Sequence, residues 1–470
     1  MFDDARKRWW ALYVLCSGVL MIVLDTTIVN VALPSIREDL KFSQTSLVWV
    51  VNAYMLTFGG FLLLGGRLGD LFGHRRMFLL GLILFTAASV GCGLAPSRGV
   101  LIAARAVQGL GGAVVTAVAL SLIMGLFTEN ADRAKAMGIY GFVCSAGGSI
   151  GVLLGGFLTT TLNWHWIFLV NVPIGVLVYA FCLRLLPHAP GTASGTKLDV
   201  AGAIMVTGSL MLAVYGIVNG HELGWTSTQT LATLAAAVIL LVIFLIIEAR
   251  VRNPLMPLSI FRLRNVATAN VAGVLWAAAM FAWFFISALY LQLVLGYSAM
   301  QVGLSFLPAN LIMAAFSLGL SAKIVVRFGI RAPLAAGLAV AATGLALFAR
   351  APLDGHFIVD VLPGMTLLGI GAGIALNPLL LGAMSDVAPS ESGLASGVVN
   401  TAFMMGGALG LAVLASFAAS RTDALLAVDT SPAAALAGGY RLAFILGAAA
   451  AAIAATVGGV FMRTRAATPH

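Results

Sequence analysis

The stretch Met21–Ile36 reads MIVLDTTIVNVALPSI and places one carboxylate, Asp25, inside the first long apolar run of the chain. A carboxylate at membrane depth costs about 2.5–3.5 kcal/mol on insertion scales, so it indicates a functional site that faces a bundle interior or a wet cavity. At 100° per residue, Thr26 and Asn30 lie about 40° apart, with Asp25 and Thr27 on either side. These four residues predict one polar sector on an apolar helix. The alternative is a protonated carboxyl that serves helix packing alone.

The composition is that of a membrane protein. Of the 470 residues, 61% are hydrophobic and 9% are charged, and the mean hydropathy is +1.04; soluble domains are about 25% charged. The net charge of +9 does not indicate nucleic-acid binding, because the basic residues lie in short loops between apolar runs. The four cysteines lie in apolar runs without ligand spacing, so we expect neither a metal site nor a disulfide.

The apolar runs predict an all-α polytopic membrane protein with fourteen transmembrane helices, each about 20 residues long. The predicted spans are 9–33, 47–66, 77–96, 100–124, 136–160, 164–186, 199–219, 229–248, 266–292, 301–325, 332–350, 358–380, 396–420 and 440–462.

The loops between these spans predict the topology and the domains. Most Lys and Arg residues fall in one set of alternate loops, which places both termini in the cytoplasm, as an even helix count also requires. Pro187–Leu198 is a predicted linker. We expect an N-terminal six-helix bundle at 1–186, a linker with two inserted helices at 187–264, and a C-terminal six-helix bundle at 265–470. Two six-helix halves are a known transporter layout.

The loop after the second span reads GGRLGDLFGHRR at Gly65–Arg76. Its glycines, Gly66 and Gly73 among them, allow a tight turn, and Asp70 is a candidate cap for a helix N-terminus. Arg75 and Arg76 hold the loop on the cytoplasmic side. A remnant, RFGIR at 327–331, follows the tenth span, and this echo indicates two related halves. The alternative for each loop alone is topogenic charge.

The fourth span contains a second charge at membrane depth, in LIAARAVQGLGG at 101–112. A buried guanidinium needs an anion or several carbonyls. Asp25 and Arg105 lie about 12 and 9 Å from the outer ends of their spans, so contact between them is geometrically possible. The alternative is an Arg105 side chain that snorkels to the outer surface.

The fifth span carries glycines four residues apart, which predict close approach of another helix. This face consists of Gly147, Gly151 and Gly155, with Gly156 beside it.

These motifs resemble those of the major facilitator superfamily, and in particular its fourteen-helix drug:proton antiporters. The loop at 65–76 is similar to the G-x-L-x-D-R-x-G-R-R signature, from which it departs at Leu71 and His74; Val326 stands in place of the acid in the second copy. The sequences LDTTIVNVALP at 24–34 and WHWIFLVNVPIG at 164–175 are similar to the openings of the first and sixth helices of that subgroup.

The resemblance implies the major facilitator fold and a role for Arg105 and Gln108, with Asp25, in proton coupling. The fifth span resembles the antiporter motif G-P-x-x-G-P-x-x-G-G, but Gly148 and Val152 replace its two prolines. Because those prolines bend the helix in a way that favours antiport, export and import both stay open, and we favour export.

Polar and aromatic residues inside the spans are candidates for a substrate cavity, since aromatic walls suit lipophilic cations. The alternative is that they pack or face lipid. The candidates are Thr26, Asn30, Asn52, Tyr54, Trp276, Phe284, Tyr290, Asn310 and Asn400. In the family that the chain resembles, some members carry further membrane acids that serve polyvalent cations. No second carboxylate lies deep in the later spans here, so the resemblance implies neutral or singly charged substrates.

The sequence therefore predicts a proton-driven exporter of lipophilic drugs or toxic compounds. It contains no Walker sequence, metal-ligand cluster or Ser/His/Asp grouping, so we expect no catalytic residue, no enzyme activity and no cofactor beyond the proton gradient. Asp70 and its basic neighbours would switch conformation by stabilising one closed cytoplasmic face. The expected setting is a monomer in the bacterial inner membrane, with a periplasmic adaptor left open. Alternatives are an exporter of one metabolite or self-made antibiotic, a proton symporter for uptake, and a membrane sensor without turnover.

Overall fold

The computed structural model of the chain describes residues 5–463, apart from 128, 187–198, 252–253, 351 and 388–391. Within these ranges every regular element is helical, and the predicted linker at 187–198 lies outside them. The helices are α1 (Ala5–Leu40), α2 (Trp49–Phe72), α3 (His74–Gly93), α4 (Arg98–Leu126), α5 (Asn130–Thr161), α6 (Trp166–Leu169), α7 (Asn171–Leu185), α8 (Val200–Leu223), α9 (Thr228–Arg250), α10 (Arg264–Leu289), α11 (Ala299–Ala315), α12 (Ser321–Phe328), α13 (Arg331–Phe348), α14 (Leu362–Met384), α15 (Ser392–Leu426) and α16 (Pro432–Phe461).

Thirteen helical segments in the described residues are long and apolar enough to cross a membrane, and α11 is a shorter apolar helix. The predicted all-helical polytopic architecture is thus confirmed. The sixth predicted span consists of α6 and α7.

The tenth predicted span is not one continuous helix. A π-helical turn at Phe316–Leu320 separates α11 from α12, and Gly319 within it has a φ of 140°. Only glycine adopts this backbone conformation readily. The interruption was not predicted, because glycine is common inside transmembrane helices and its presence alone does not indicate a break.

The chain divides into two compact units, Met1–Leu255 with Ser298–Leu304, and Met256–Tyr297 with Ser305–His470. In the first unit, α1 packs on α5 and α7, and α3 packs on α4 and α7. The pair α8 and α9 packs together, and α8 also contacts α2.

The second unit repeats this pairing of helices. There α10 packs on α15 and α16, and α13 packs on α14 and α16. Counted within each six-helix group, the first helix packs on the fifth and the sixth in both units. The third helix packs on the fourth and the sixth in both units.

The arginines that begin two corresponding helices make the same contact in each unit. Arg75, in the first turn of α3, donates from Nη2 to the carbonyl oxygen of Leu183 at 2.7 Å. Arg331, the first residue of α13, donates from Nε to the carbonyl oxygen of Gly459. Both carbonyls belong to the third residue from the end of the sixth helix in the group, where backbone oxygens lack intrahelical partners. The echo between the two loops is therefore a structural repeat.

Candidate functional site

Asp25 lies in the middle of α1 with no exposed surface. Its Oδ2 accepts a hydrogen bond from Arg105 Nη1 on α4 at 2.5 Å. Its Oδ1 accepts from Gln108 Nε2 on α4 at 2.7 Å and from Asn171 Nδ2 on α7 at 2.9 Å. An ionised carboxylate only accepts hydrogen bonds, and here it receives three.

Arg105 is also buried, with 1% of its surface exposed. Its Nε donates to the carbonyl oxygen of Val50 at 2.9 Å, and its Cζ lies 4.4 Å from the centre of the Tyr54 ring. The ring of Phe168 lies on it at 5.6 Å. The guanidinium thus has an anion, a carbonyl and two aromatic faces as partners, and it does not snorkel to the surface.

Gln108 links this pair to α3. Its Oε1 accepts from Arg105 Nη1 at 2.6 Å, and its Nε2 donates to Ser89 Oγ at 2.8 Å as well as to Asp25. The Cys92 thiol lies 3.6 Å from the same Oε1. Ser89 Oγ in turn donates to the carbonyl oxygen of Phe85 at 2.8 Å.

Glycines on α4 let the neighbouring helices come close enough for these contacts. A Cβ on Gly109 would collide with the Tyr54 carbonyl oxygen and the Thr57 hydroxyl on α2. A Cβ on Gly111 would lie 2.6 Å from the Phe85 backbone nitrogen on α3. Small residues allow such backbone approach in membrane bundles.

The sequence reasoning missed Ser89 and Asn171. Asn171 lies within the quoted stretch 164–175, so its polar side chain in that apolar segment was the available signal. Ser89 carried no signal of its own, because an isolated serine in a membrane helix usually bonds its own backbone.

The prediction that the polar residues of α1 form one surface is wrong, because they face different helices. Asp25 faces α4 and α7, whereas Thr27 faces α5, where a Cβ on Gly151 would collide with the Thr27 hydroxyl. Thr26 Oγ1 donates to the carbonyl oxygen of Val23, and Asn30 Nδ2 donates to that of Thr27. The Thr26 hydroxyl and the Asn30 amide therefore form hydrogen bonds with the backbone of their own helix. The helical spacing alone could not reveal this.

The glycine face of α5 packs against α1. Added Cβ atoms would lie 2.8 Å from Val23 at Gly147 and 2.9 Å from the Leu24 carbonyl oxygen at Gly151, and Gly155 lies against Ile28 in the same way. A Cβ on Gly156 would lie 2.7 Å from the carbonyl oxygen of Ala299. The glycines at 147, 151 and 155 therefore set the distance between α5 and α1.

The loop between α2 and α3 turns at Gly73, whose φ is 91°. Asp70 does not cap α3, whose N-cap residue is Gly73, and no side chain caps it there. Asp70 instead lies in the last turn of α2 and pairs with His74 Nε2 at 3.3 Å. The capping prediction is wrong because α2 extends to Phe72, beyond the predicted end at 66. Arg76 is exposed and Gly66 is half-buried.

The candidate cavity residues lie in both units. Tyr54 contacts Arg105, and Asn52, also on α2, is fully buried. Tyr290 donates to the Pro352 carbonyl oxygen at 2.7 Å, and Phe284 stacks on Phe306 at 5.3 Å. The remaining positions are a half-buried Thr26, buried Asn30, Trp276 and Asn310, and an exposed Asn400.

Comparison with known proteins identifies similar chains. The sequence matches the family model described as the Major Facilitator Superfamily over residues 15–411. It is 39% identical over 465 residues to a puromycin resistance protein of Streptomyces alboniger, which covers 98% of this chain and 92% of the relative. It is 40% identical over 416 residues to a cephamycin export protein of Amycolatopsis lactamdurans, which covers 88% and 85%. A lincomycin resistance protein of Streptomyces lincolnensis is 36% identical over 417 residues, with coverage of 88% and 85%.

Solved structures share the fold. A bacterial homologue of the human lysosomal transporter Spinster, crystallised inward-facing and unoccupied, superposes with a TM-score of 0.68 at 17% identity, covering 97% of each chain. The nucleoside transporter NupG superposes with a TM-score of 0.66 at 11% identity, covering 96% of this chain and all of the other.

Proposed function

The chain belongs to the major facilitator superfamily, and from this premise we propose that it is a proton-driven secondary transporter that exports lipophilic, neutral or singly charged drugs by alternating access. The observation that carries the proposal is the ion pair between Asp25 and Arg105, which is buried among apolar helices. Buried ionisable pairs inside membrane bundles mark ion and proton pathways.

The geometry supports a proton-binding role for Asp25. With the carboxylate ionised, the pair is neutral and every contact in the site is a donor facing an acceptor. Binding a proton leaves the Arg105 charge without a counter-charge in the interior. Its remaining partners are neutral: the Val50 carbonyl oxygen, the Gln108 Oε1 and the rings of Tyr54 and Phe168. A buried unpaired charge is costly, so the protonated site favours a different conformation. Because Asp25 has no exposed surface here, water reaches it in that other conformation.

The energy available is sufficient for efflux. A proton gains about 2.3 kcal/mol in crossing 100 mV and about 1.4 kcal/mol per pH unit. Together these give about 3.7 kcal/mol, which corresponds to a concentration ratio of several hundred for a neutral substrate exchanged for one proton. No cofactor beyond the proton gradient is proposed.

The loop between α2 and α3 would contribute the conformational switch. The arginine at its end, Arg75, ties α3 to the C-terminal end of α7. Movement of this loop would therefore be transmitted to α7, which also carries Asn171. We place the protein in the bacterial inner membrane, with both termini in the cytoplasm, as a monomer that acts on small lipophilic substrates and protons; a periplasmic adaptor is left open.

A second candidate function is export of one self-made antibiotic. It is favoured by the relatives, which are named for resistance to puromycin and lincomycin and for export of cephamycin. A susceptibility panel that combines these antibiotics with unrelated lipophilic drugs, in a host without its own pumps, separates the two. Protection against one compound alone supports the dedicated exporter.

The proposal is tested with Asp25→Asn, which is expected to reach the membrane and to lose pH-driven efflux. The matched control is Asp39→Asn, which makes the same change on the same helix at a carboxylate that is 56% exposed. Drug-dependent proton movement in everted vesicles is the readout, and the direction of labelled drug distinguishes export from uptake. Undiminished efflux by Asp25→Asn contradicts the proposal, and the absence of any drug-dependent proton movement in the wild type favours a sensor.

A further inference from the structure

A third donor, Asn171, completes the surroundings of Asp25. It is the first residue of α7 and is 1% exposed. Its Nδ2 donates to Asp25 Oδ1 at 2.9 Å and lies 3.5 Å from Ser89 Oγ. A buried amide without partners costs about 1–3 kcal/mol, and the partners of this amide group are the carboxylate and the serine that holds Gln108.

Protonation changes the hydrogen-bond partners that Asp25 needs: the ionised carboxylate needs donors, whereas the protonated oxygen needs an acceptor. Three donors surround the carboxylate, from Arg105, Gln108 and Asn171. When a hydronium ion transfers its proton to Oδ1, an O–H bond forms, a water molecule is released, and Oδ1 becomes a donor that needs an acceptor. Unless a neighbouring side chain turns, this donor faces only other donors.

The available acceptors single out one residue. Arg105 has no acceptor atom. The Oε1 of Gln108 already accepts from Arg105 at 2.6 Å, so turning that amide would also disrupt the guanidinium. The amide of Asn171 can turn about a soft torsion, which exchanges its NH₂ group for its carbonyl oxygen. Its contact with Ser89, at 3.5 Å, is the longer of the two that its Nδ2 makes and is the one given up.

From these contacts we infer that Asn171 is a positioning residue for the proton-binding step. Its amide donates to the ionised form of Asp25 and accepts from the protonated form, and Ser89 favours the donating orientation. Because Asn171 begins α7, its reorientation connects the protonation state to a helix whose other end is held by Arg75. The inference rests on the proposed proton-coupled function.

Three other ionisable groups interact with Asp25 electrostatically, and all three lie on helices of the same unit. They are the Arg105 guanidinium on α4, the Tyr54 phenol on α2 and the Cys92 thiol on α3. Only Arg105 carries a charge near neutral pH. Replacing Asn171 leaves all three in place, so a change in the pH profile of that variant reports the Asn171 amide.

The test is the pH dependence of drug-driven proton exchange by the full-length protein in proteoliposomes. Asn171→Leu removes a charge-assisted bond to the ionised carboxylate and a weaker bond to the protonated form. The pH of half-maximal exchange is therefore expected to rise by about one unit, with KM for the drug unchanged. Ser89→Ala is expected to raise it by less. The control is Asn270→Leu, at a buried amide on α10 that donates to the Val266 carbonyl oxygen of the same helix. It is expected to keep the wild-type midpoint.

Infrared spectroscopy of the purified protein gives a second readout that needs no transport. The carboxylic-acid stretch of Asp25 is identified by its absence from Asp25→Asn. In Asn171→Leu this band is expected at higher frequency, because the protonated group has lost its acceptor. A wild-type midpoint and an unshifted band in Asn171→Leu overturn the inference, even if wild-type exchange is normal. A band that shifts in Asn171→Leu, found together with a wild type that shows no drug-driven proton exchange, overturns the proposed function instead.

Discussion

Neutralising one member of the buried ion pair is expected to destabilise the protein about as much as neutralising both. Asp25→Asn leaves the Arg105 guanidinium charged in the interior, and Arg105→Gln leaves the carboxylate without its counter-charge. Breaking a buried pair in this way costs about 3–5 kcal/mol. If the two losses were additive, the double variant with Asp25→Asn and Arg105→Gln would lose about 6–10 kcal/mol of unfolding free energy. Because the double variant buries no charge at this site, its loss is expected to stay near that of either single variant.

The remaining contacts place both single losses at the lower end of that range. In Asp25→Asn, the guanidinium keeps the Val50 carbonyl oxygen at 2.9 Å and the Tyr54 ring at 4.4 Å. In Arg105→Gln, the carboxylate keeps two amide donors, at 2.7 and 2.9 Å. About 3 kcal/mol is therefore the expected loss of unfolding free energy for each single variant.

A thiol-reactive fluorophore measures this unfolding in detergent, because three of the four cysteines, Cys16, Cys92 and Cys182, are buried in the folded chain. Asp39→Asn, on the same helix, keeps an oxygen that can accept the 2.9 Å bond from Trp164 Nε1, and it is expected to change the unfolding free energy by less than about 1 kcal/mol. The reasoning is refuted if the double variant loses the full sum of the single losses, or if Asp25→Asn is as stable as the wild type.

Three further predictions concern packing and backbone geometry, and all are measured as unfolding free energies in detergent. Gly151→Ala should cost about 1–3 kcal/mol, because its Cβ collides with α1, whereas Gly148→Ala, which meets no atom within 4 Å, should gain about 0.5–1 kcal/mol; equal effects would contradict the packing of α5 on α1. Arg75→Ala should cost about 1.5–3 kcal/mol because it removes the hydrogen bond to the Leu183 carbonyl oxygen of α7, whereas the exposed Arg76→Ala should cost less than about 0.5 kcal/mol. A reversed order would contradict a stabilising role for that hydrogen bond. Gly319→Ala should cost about 1–3 kcal/mol because alanine tolerates its φ of 140° poorly, and a neutral result would exclude that conformation.

The helices and their class were predictable because each transmembrane segment satisfies its own backbone hydrogen bonds and carries its own apolar surface. Fourteen apolar runs were predicted, and thirteen long helical segments plus α11 are present in the described residues. Helix ends were less predictable: α2 continues six residues beyond the predicted end at 66, which moves Asp70 from a cap position into the helix.

The charged residues of the candidate site were predictable for a similar reason. Asp25 and Arg105 are conspicuous at membrane depth, since ionisable side chains there are costly wherever they are placed. Their similar depth was computed from helix rise alone, and their side chains lie in contact.

What the sequence by itself determined is therefore a membrane-spanning helical chain with one acid and one base at matching depth, because hydropathy and helix rise are properties of each segment alone. Tertiary structure decided which neutral groups meet the acid. Asn171 stands 146 residues from Asp25, and Ser89 joins it from a third helix. Such pairing depends on how separate helices pack, which the glycines of α4 and α5 permit but no local pattern encodes.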